Sequence, residues 1–94
     1  MVFEIRLHPK SARFLSELIT SGLDHIHEKI INGLEQLSGD PLHSRPGVDV
    51  IQLKSVHPKM YRFRVGQYRV IYEIDRKSSI VYVTMILHRK QAYK

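Results

Sequence analysis

The sequence predicts an α+β fold in which a helical hairpin packs on one face of an antiparallel sheet, in the order β-α-α-β-β-β. Apolar residues recur at helical spacing between positions 10 and 37, and runs rich in β-branched and aromatic residues follow from position 60 to 88. A chain of 94 residues is long enough for one core and too short for a second. We therefore expect a single domain over residues 1–94.

The N-terminal half predicts one strand and two helices. Residues 2–7 alternate apolar and polar as V-F-E-I-R-L, and His8-Pro9 ends this strand. A short helix is expected from Lys10 to Ser21-Gly22, and a second apolar stripe predicts a helix that ends at Ser38-Gly39. Two helices in tandem predict an antiparallel hairpin.

The C-terminal half predicts three strands, near residues 60–65, 68–75 and 80–88, with residues 76–79 as a turn. Residues 40–49 contain two prolines and a glycine, which predicts an irregular loop, and residues 50–54 are expected to be extended. If the helices cover one face of the sheet, the opposite face is left for solvent or a ligand.

The segment Y-R-F-R-V-G-Q-Y-R-V-I-Y, from position 61 to 72, predicts a hairpin with several arginines on one face. Gly66-Gln67 fits a two-residue type II′ turn, which sets Arg64 opposite Arg69, with Arg62 two residues further along. Pairing of Ile74 with Ile80 in the next hairpin would bring Arg89 to the same end. Like charges set opposite each other weaken a sheet, so an anionic ligand is expected here.

The distribution of charge supports a polyanionic partner. Residues 1–53 carry five Lys/Arg against seven Asp/Glu, whereas residues 54–94 carry ten against two. A solvated basic surface is the alternative.

The chain has no cysteine, which excludes disulfides and thiolate metal sites. It shows no signal peptide and no apolar run long enough to span a membrane, so we expect a cytoplasmic protein.

Two segments give the chain a family resemblance: Y-R-F-R-V-G-Q-Y-R-V-I-Y-E-I-D at 61–75 and V-Y-V-T-M-I-L-H-R-K-Q-A-Y at 81–93. With the strand and helices before them, they resemble the RelE/ParE superfamily of toxins from toxin–antitoxin pairs. RelE-like members cleave messenger RNA on the ribosome, and ParE-like members inhibit DNA gyrase. The final H-R-K-Q-A-Y is more similar to RelE, in which an arginine is followed four residues later by a tyrosine.

The resemblance implies the site residues, which are the second-strand basic pair Arg62 and Arg64, the central Arg69, the late Arg89, and Tyr93. RelE-like enzymes carry lysines where this chain has Arg62 and Arg64, and an arginine does not readily give up a proton. The end of the sequence at Lys94 is a second departure from the family, and it leads us to expect that the C-terminal helix of some relatives is absent.

The chemistry implied is metal-independent attack of a ribose 2′-hydroxyl on its own 3′-phosphate, with guanidinium groups stabilising the charge on phosphorus. Tyr93, His88 and His57 are alternatives for the general base, and Tyr93 could instead stack on a nucleobase. An ion pair with Glu73 or Asp75 is the alternative role for Arg69, and a solvated sheet face is that for Arg62 and Arg64. Further candidate RNA contacts are Lys54, Lys59, His88 and Lys90.

The sequence therefore leads us to expect the toxin of a type II toxin–antitoxin system, acting as a ribosome-dependent mRNA endonuclease. The alternatives are a ParE-like gyrase inhibitor and an inactive toxin fold that binds only antitoxin or RNA. The expected partners are the ribosome, mRNA and an acidic RelB-like antitoxin in a hetero-oligomer. No cofactor, metal or membrane is expected.

Overall fold

A computed structural model describes residues 2–92 of the chain. Its elements are β1 (Glu4–Leu7), α1 (Pro9–Thr20), α2 (Asp24–Gly39), β2 (Asp49–Gln52), β3 (Tyr61–Val65), β4 (Tyr68–Asp75), β5 (Ile80–His88) and α3 (Arg89–Ala92). The predicted α+β class is confirmed, with two helices covering one face of a sheet. The strand β2 and the short helical turn α3 add to the predicted order.

The helix α1 begins where the sequence predicts. Pro9 occupies the first helical turn, where its missing N–H leaves no hydrogen bond unmade. The His8 side chain caps this end, since its Nδ1 accepts a hydrogen bond from the Lys10 backbone N–H at 3.1 Å. Leu15 and Leu18 are buried against the sheet. The helix therefore begins at a capped proline and is held to the sheet by its apolar stripe.

The helix α2 lies very close to the sheet. Its buried residues Ile30, Leu34 and Leu37 follow helical spacing. A Cβ atom at Gly33 would stand 2.5 Å from the Phe63 ring of β3, a distance that real Cβ atoms do not tolerate. The glycine is thus required for the helix to approach the strand.

The sheet order is β1-β5-β4-β3-β2, and every neighbouring pair is antiparallel except β1 and β5. This parallel pair corrects the expectation of a wholly antiparallel sheet. The cause is the path of residues 40–48, which carry the chain back to the end of the sheet at which β1 finishes. β2 must then run opposite to β1, and after three successive reversals β5 runs parallel to β1.

A β-bulge changes the register between β4 and β5. Ile71 pairs with Met85, but the next residue, Tyr72, pairs with Val83, so Thr84 is the extra residue. The Thr84 hydroxyl donates a hydrogen bond to the Ile71 carbonyl at 3.3 Å. Ile74 pairs with Val81 and not with Ile80, which corrects the predicted register.

The bulge also changes which residues face the helices. Strict alternation from the buried Val83 would turn Ile86 outwards, yet Ile86 is buried and pairs with the buried Val70. The residues on either side of Ile86 in β5 accordingly turn towards the open face. Beyond His88, the chain enters the single helical turn α3, which the sequence did not predict.

The hydroxyl of Tyr72 is buried in the core and has a specific partner. Tyr72 is fully buried, stacks on Tyr61 at a ring-centroid distance of 5.7 Å, and donates a hydrogen bond from its hydroxyl to the Pro41 carbonyl at 2.7 Å. Burial raises the pKa of this phenol above its usual value. The bond ties the loop after α2 to the middle of the sheet.

Candidate functional site

The arginine hairpin has the predicted register. Gly66 has a φ of +57°, as the first central position of a type II′ turn requires. Val65 pairs with Tyr68, and Arg64 pairs directly with Arg69. Tyr61 and Phe63 are buried under the helices, so the pleat directs Arg62 and Arg64 to the open face. Arg64 and Arg69 therefore share this face beside the turn.

The third strand of the site brings Arg89 to the same place. The Arg89 backbone N–H donates to the Gln67 carbonyl at 2.6 Å, which fixes the start of α3 against the turn. The described residues Arg64, Arg69, Arg89 and Lys90 line a cleft of about 560 Å³, hereafter the cationic cleft. Two hairpin strands and the start of α3 thus contribute to one concave, positively charged surface.

The charges of the cationic cleft are largely uncompensated within the described chain. Arg64, Arg89 and Lys90 have no ion-pair partner among residues 2–92. Arg69 differs from them, because it is only 6% exposed and lies at the floor of the cleft. Several guanidinium groups around one opening suit a phosphate group, which each can bind through paired N–H donors.

Arg62 lies on the same face but is not among the described residues that line the cationic cleft. Its Nη2 donates to the Asp49 Oδ1 at 3.2 Å. The side chain of Arg62 is 16% exposed and that of Asp49 is 50% exposed. Asp49 was not among the predicted site residues, because residues 40–49 were expected to form an irregular loop whose path the sequence does not define.

His88 lies on the helix side of the sheet. Its ring contacts the Tyr68 ring edge-on, with 5.1 Å between centroids, and Tyr68 in turn packs against Phe14 of α1. The Nδ1 atom accepts a hydrogen bond from the Lys90 backbone N–H at 3.3 Å. The pleat therefore directs this ring away from the arginines of the open face.

The remaining predicted residues are not brought to the cationic cleft by the described structure. Lys54 and Lys59 lie in the exposed connection between β2 and β3, at the opposite end of these strands from Gly66. His57 lies in the same connection. Tyr93 lies outside the described residues.

A second concavity of about 550 Å³ occupies the other end of the open face, and Glu73, Asp75, Arg6 and the exposed Tyr82 are among its lining residues. Asp75 pairs with Ile80 in the sheet, whereas Arg69 pairs with Leu87, so the two residues lie at opposite ends of β4. The acids of β4 therefore belong to the second concavity and not to the cationic cleft.

No group of three or more His, Cys, Asp or Glu side chains in residues 2–92 could hold a metal ion. Within the same residues, no helix has the length and apolar character needed to cross a bilayer.

Comparison with known proteins identifies relatives along almost the whole chain. Residues 5–93 match the family model of the ParE toxin of the type II toxin–antitoxin system parDE. A Methanocaldococcus jannaschii protein named "Putative toxin RelE1" is 30% identical over 94 residues, covering 100% of this chain and 98% of that protein.

Two solved structures share the fold. The archaeal RelE–RelB complex from Pyrococcus horikoshii OT3 contains a chain with a TM-score of 0.77 and 24% identity, covering 95% of this chain and 97% of the other. The RelB–RelE antitoxin–toxin complex from Methanococcus jannaschii gives a TM-score of 0.71 and 22% identity, with 95% of each chain covered. The match to the family model and the relative with 30% identity show that the chain belongs to the RelE/ParE family of type II toxin–antitoxin toxins.

Proposed function

We propose that this toxin is an endoribonuclease that cleaves messenger RNA on the ribosome. The observation that supports the proposal is the cationic cleft, in which Arg64, Arg69 and Arg89 converge from three parts of the sheet. The cleft lies on the face that the helices leave open, so an extended polyanion can reach it. The ribosome and its messenger RNA place this activity in the cytoplasm.

The proposed reaction is attack of a 2′-hydroxyl on the adjacent phosphorus, which releases a 5′-hydroxyl and leaves a 2′,3′-cyclic phosphate. The attacking oxygen loses its proton and the leaving oxygen gains one. Negative charge grows on the non-bridging phosphate oxygens, and fixed guanidinium groups stabilise this charge more strongly than mobile water does. Arg64, Arg69 and Arg89 are the groups to which we assign this role.

The proton acceptor must come from outside these arginines. The described side chains that line the cationic cleft belong to three arginines and Lys90, residue types that donate hydrogen bonds and offer no acceptor for a proton. Of the proposed bases, His88 faces the helices and its Nδ1 is already occupied by the Lys90 N–H. We therefore propose Tyr93 as the base, because it matches the tyrosine of RelE in the H-R-K-Q-A-Y segment. A cationic environment favours the phenolate form of a tyrosine, which is the form that accepts a proton.

The proposed partner outside the ribosome is an acidic RelB-like antitoxin. The two related structures described above are complexes of a RelE chain with RelB. This chain carries a formal net charge of +6, which favours association with an acidic protein. We propose that the antitoxin and this chain form a hetero-oligomer.

The test is inducible expression in a bacterial host with mapping of new 5′ ends on transcripts. We expect cuts confined to translated regions in the wild type and a loss of at least tenfold in Arg64→Ala and Arg89→Ala. The matched control is Arg76→Ala, which removes an exposed arginine from the turn at the other end of the sheet. Full cutting by Arg89→Ala, with folding retained, would overturn the assignment of the cationic cleft.

A second candidate function is inhibition of DNA gyrase, and the match to the ParE toxin model supports it. A gyrase inhibitor would arrest growth and induce DNA-damage signalling while leaving messenger RNA intact. The same expression experiment therefore separates the two functions. No growth arrest at all would leave a toxin fold that binds only antitoxin or RNA.

A further inference from the structure

We propose that Asp49 withholds Arg62 from the ligand of the cationic cleft and so limits the number of phosphates that the protein contacts. The inference rests on the proposed function in taking RNA as the ligand. Asp49 is the first residue of β2 and lies opposite Arg64 in the register, yet its carboxylate binds Arg62.

The position of Arg62 explains why one carboxylate can hold it. Arg62 pairs with Ile51 on one side and Ile71 on the other, so its aliphatic stem lies between two apolar side chains. Its Nε is buried and has no hydrogen-bond partner among the described residues. Leaving a buried N–H unpaired is costly. The bond from Nη2 to Asp49 is therefore the polar contact that retains the guanidinium in this place.

Asp49 also lies next to the proposed phosphate site. Together with Arg64 and Gly66, it lines a concavity that adjoins the cationic cleft through their shared residue Arg64. A carboxylate at this edge repels phosphate, while its ion pair neutralises one of the hairpin arginines. Replacing the carboxylate by an amide removes the negative charge behind both effects. The neutral amide oxygen can still accept a hydrogen bond from Arg62, but a charged phosphate forms the stronger one, so a bound polyanion draws the guanidinium away.

The number of phosphates contacted can be counted from salt dependence. For single strands, the logarithm of the binding constant falls with the logarithm of the salt concentration by about 0.7 for each phosphate neutralised. The probe is a fluorescent 2′-O-methyl oligouridine of about 12 nucleotides, within the usual site size for single strands. It lacks the free 2′-hydroxyl, so binding is measured without cleavage.

We expect Asp49→Asn to bind the probe with a salt slope steeper by about 0.7 than that of the wild type. The double variant Asp49→Asn/Arg62→Gln should return to the wild-type slope, because the released arginine is then absent. Arg62→Gln alone should leave the slope unchanged. Together these variants separate release of Arg62 from the simple loss of a negative charge.

The matched control is Asp75→Asn, which makes the same charge change at the far end of β4. The Asp75 carboxylate accepts a hydrogen bond from the Ser78 N–H at 3.2 Å, and an asparagine oxygen can keep this bond. We expect the wild-type slope. Equal steepening in Asp75→Asn, or an unchanged slope in Asp49→Asn, would overturn the inference while leaving the proposed function intact. Absence of any salt-dependent binding by the wild type would also overturn the inference, whereas the proposed function is decided separately by the mapping of 5′ ends.

Discussion

Arg64 and Arg69 stand directly opposite each other across the β3–β4 ladder, beside the turn at Gly66. Arg64 is exposed and lies at the mouth of the cationic cleft, whereas Arg69 is only 6% exposed and lies at its floor. The nearest acid in the register, Asp49, is engaged with Arg62. The fold thus maintains a like-charge pair at the site that we assign to phosphate.

The like-charge pair predicts that Arg64→Thr stabilises the fold while abolishing activity. Relieving a repulsive cross-strand pair should raise the free energy of unfolding by about 0.2–1 kcal/mol, and threonine suits a strand. Urea denaturation at low ionic strength measures the gain. The gain should shrink in 1 M salt, where the Debye length is about 3 Å. If Arg64→Thr gains the same free energy of unfolding at both salt concentrations, the gain comes from the strand propensity of threonine and not from relief of repulsion.

The hairpin could be predicted from sequence because its determinants are local. Gly66 supplies the positive φ, and the alternation of Tyr61 to Val65 assigns each side chain to a face. The parallel pairing of β1 with β5 could not be predicted in this way. It depends on the path of residues 40–48, and an irregular loop encodes no direction in its composition.

The position of His88 shows a second limit. Counting outward from the β4–β5 turn with strict alternation places it on the open face, but the extra residue Thr84 turns it towards the helices. The same bulge allows Arg89 to join Arg64. A one-residue insertion exchanges every side chain beyond it between the two faces. Thr84 is the one polar residue of the run from Ile80 to Leu87, but threonine also suits a regular strand, so its presence does not by itself predict an insertion.

Gly33→Ala is predicted to destabilise the protein although alanine is the better helix former. Overpacking against the buried Phe63 ring costs about 1–3 kcal/mol, and the propensity gain offsets about 1 kcal/mol of it. The control is Gly39→Ala at the end of the same helix, where an added Cβ meets nothing within 4 Å. Urea denaturation should show a lower midpoint for Gly33→Ala alone. A midpoint at or above that of the wild type would mean that the helix can move away from β3.

Tyr72→Phe is predicted to lower the free energy of unfolding by about 1–3 kcal/mol at neutral pH, because it removes the donor to the buried Pro41 carbonyl. The measurement is urea denaturation at pH 7. Tyr61→Phe is the matched control, because it removes a hydroxyl from the ring stacked on Tyr72 and keeps the stacking.

Because the Tyr72 phenol is buried, we expect the stability of the fold to depend on pH in the alkaline range. Burial raises its pKa above the ordinary value of 10.0, so the unfolded chain loses this proton before the folded one does. The contribution of the phenol is therefore present below pH 10 and is lost as the pH rises further. The wild type should lose stability above pH 10 more steeply than Tyr72→Phe does. Parallel losses in the two proteins would show that this phenol does not titrate as its burial requires.

Asp40→Asn is predicted to reduce stability at pH 7 and to leave it unchanged in strong acid. The Asp40 carboxylate accepts hydrogen bonds from the N–H groups of Leu42 at 3.0 Å and His43 at 3.2 Å, at the end of α2. Chiefly through the Leu42 bond, the pKa of this carboxyl is held below its ordinary value of 3.8. Its contribution is thus complete above that value and is lost as the pH falls through the lower, folded-state pKa.

Thermal unfolding followed by circular dichroism between pH 7 and strong acid tests the role of Asp40. The melting temperature of Asp40→Asn should lie below that of the wild type at pH 7, and the two should converge as the carboxyl of the folded wild type becomes protonated. Glu28→Gln makes the same charge change on an exposed part of α2 and should follow the wild type throughout. A constant difference at every pH would mean that hydrogen-bond geometry, and not the carboxylate charge, holds the loop at the end of α2.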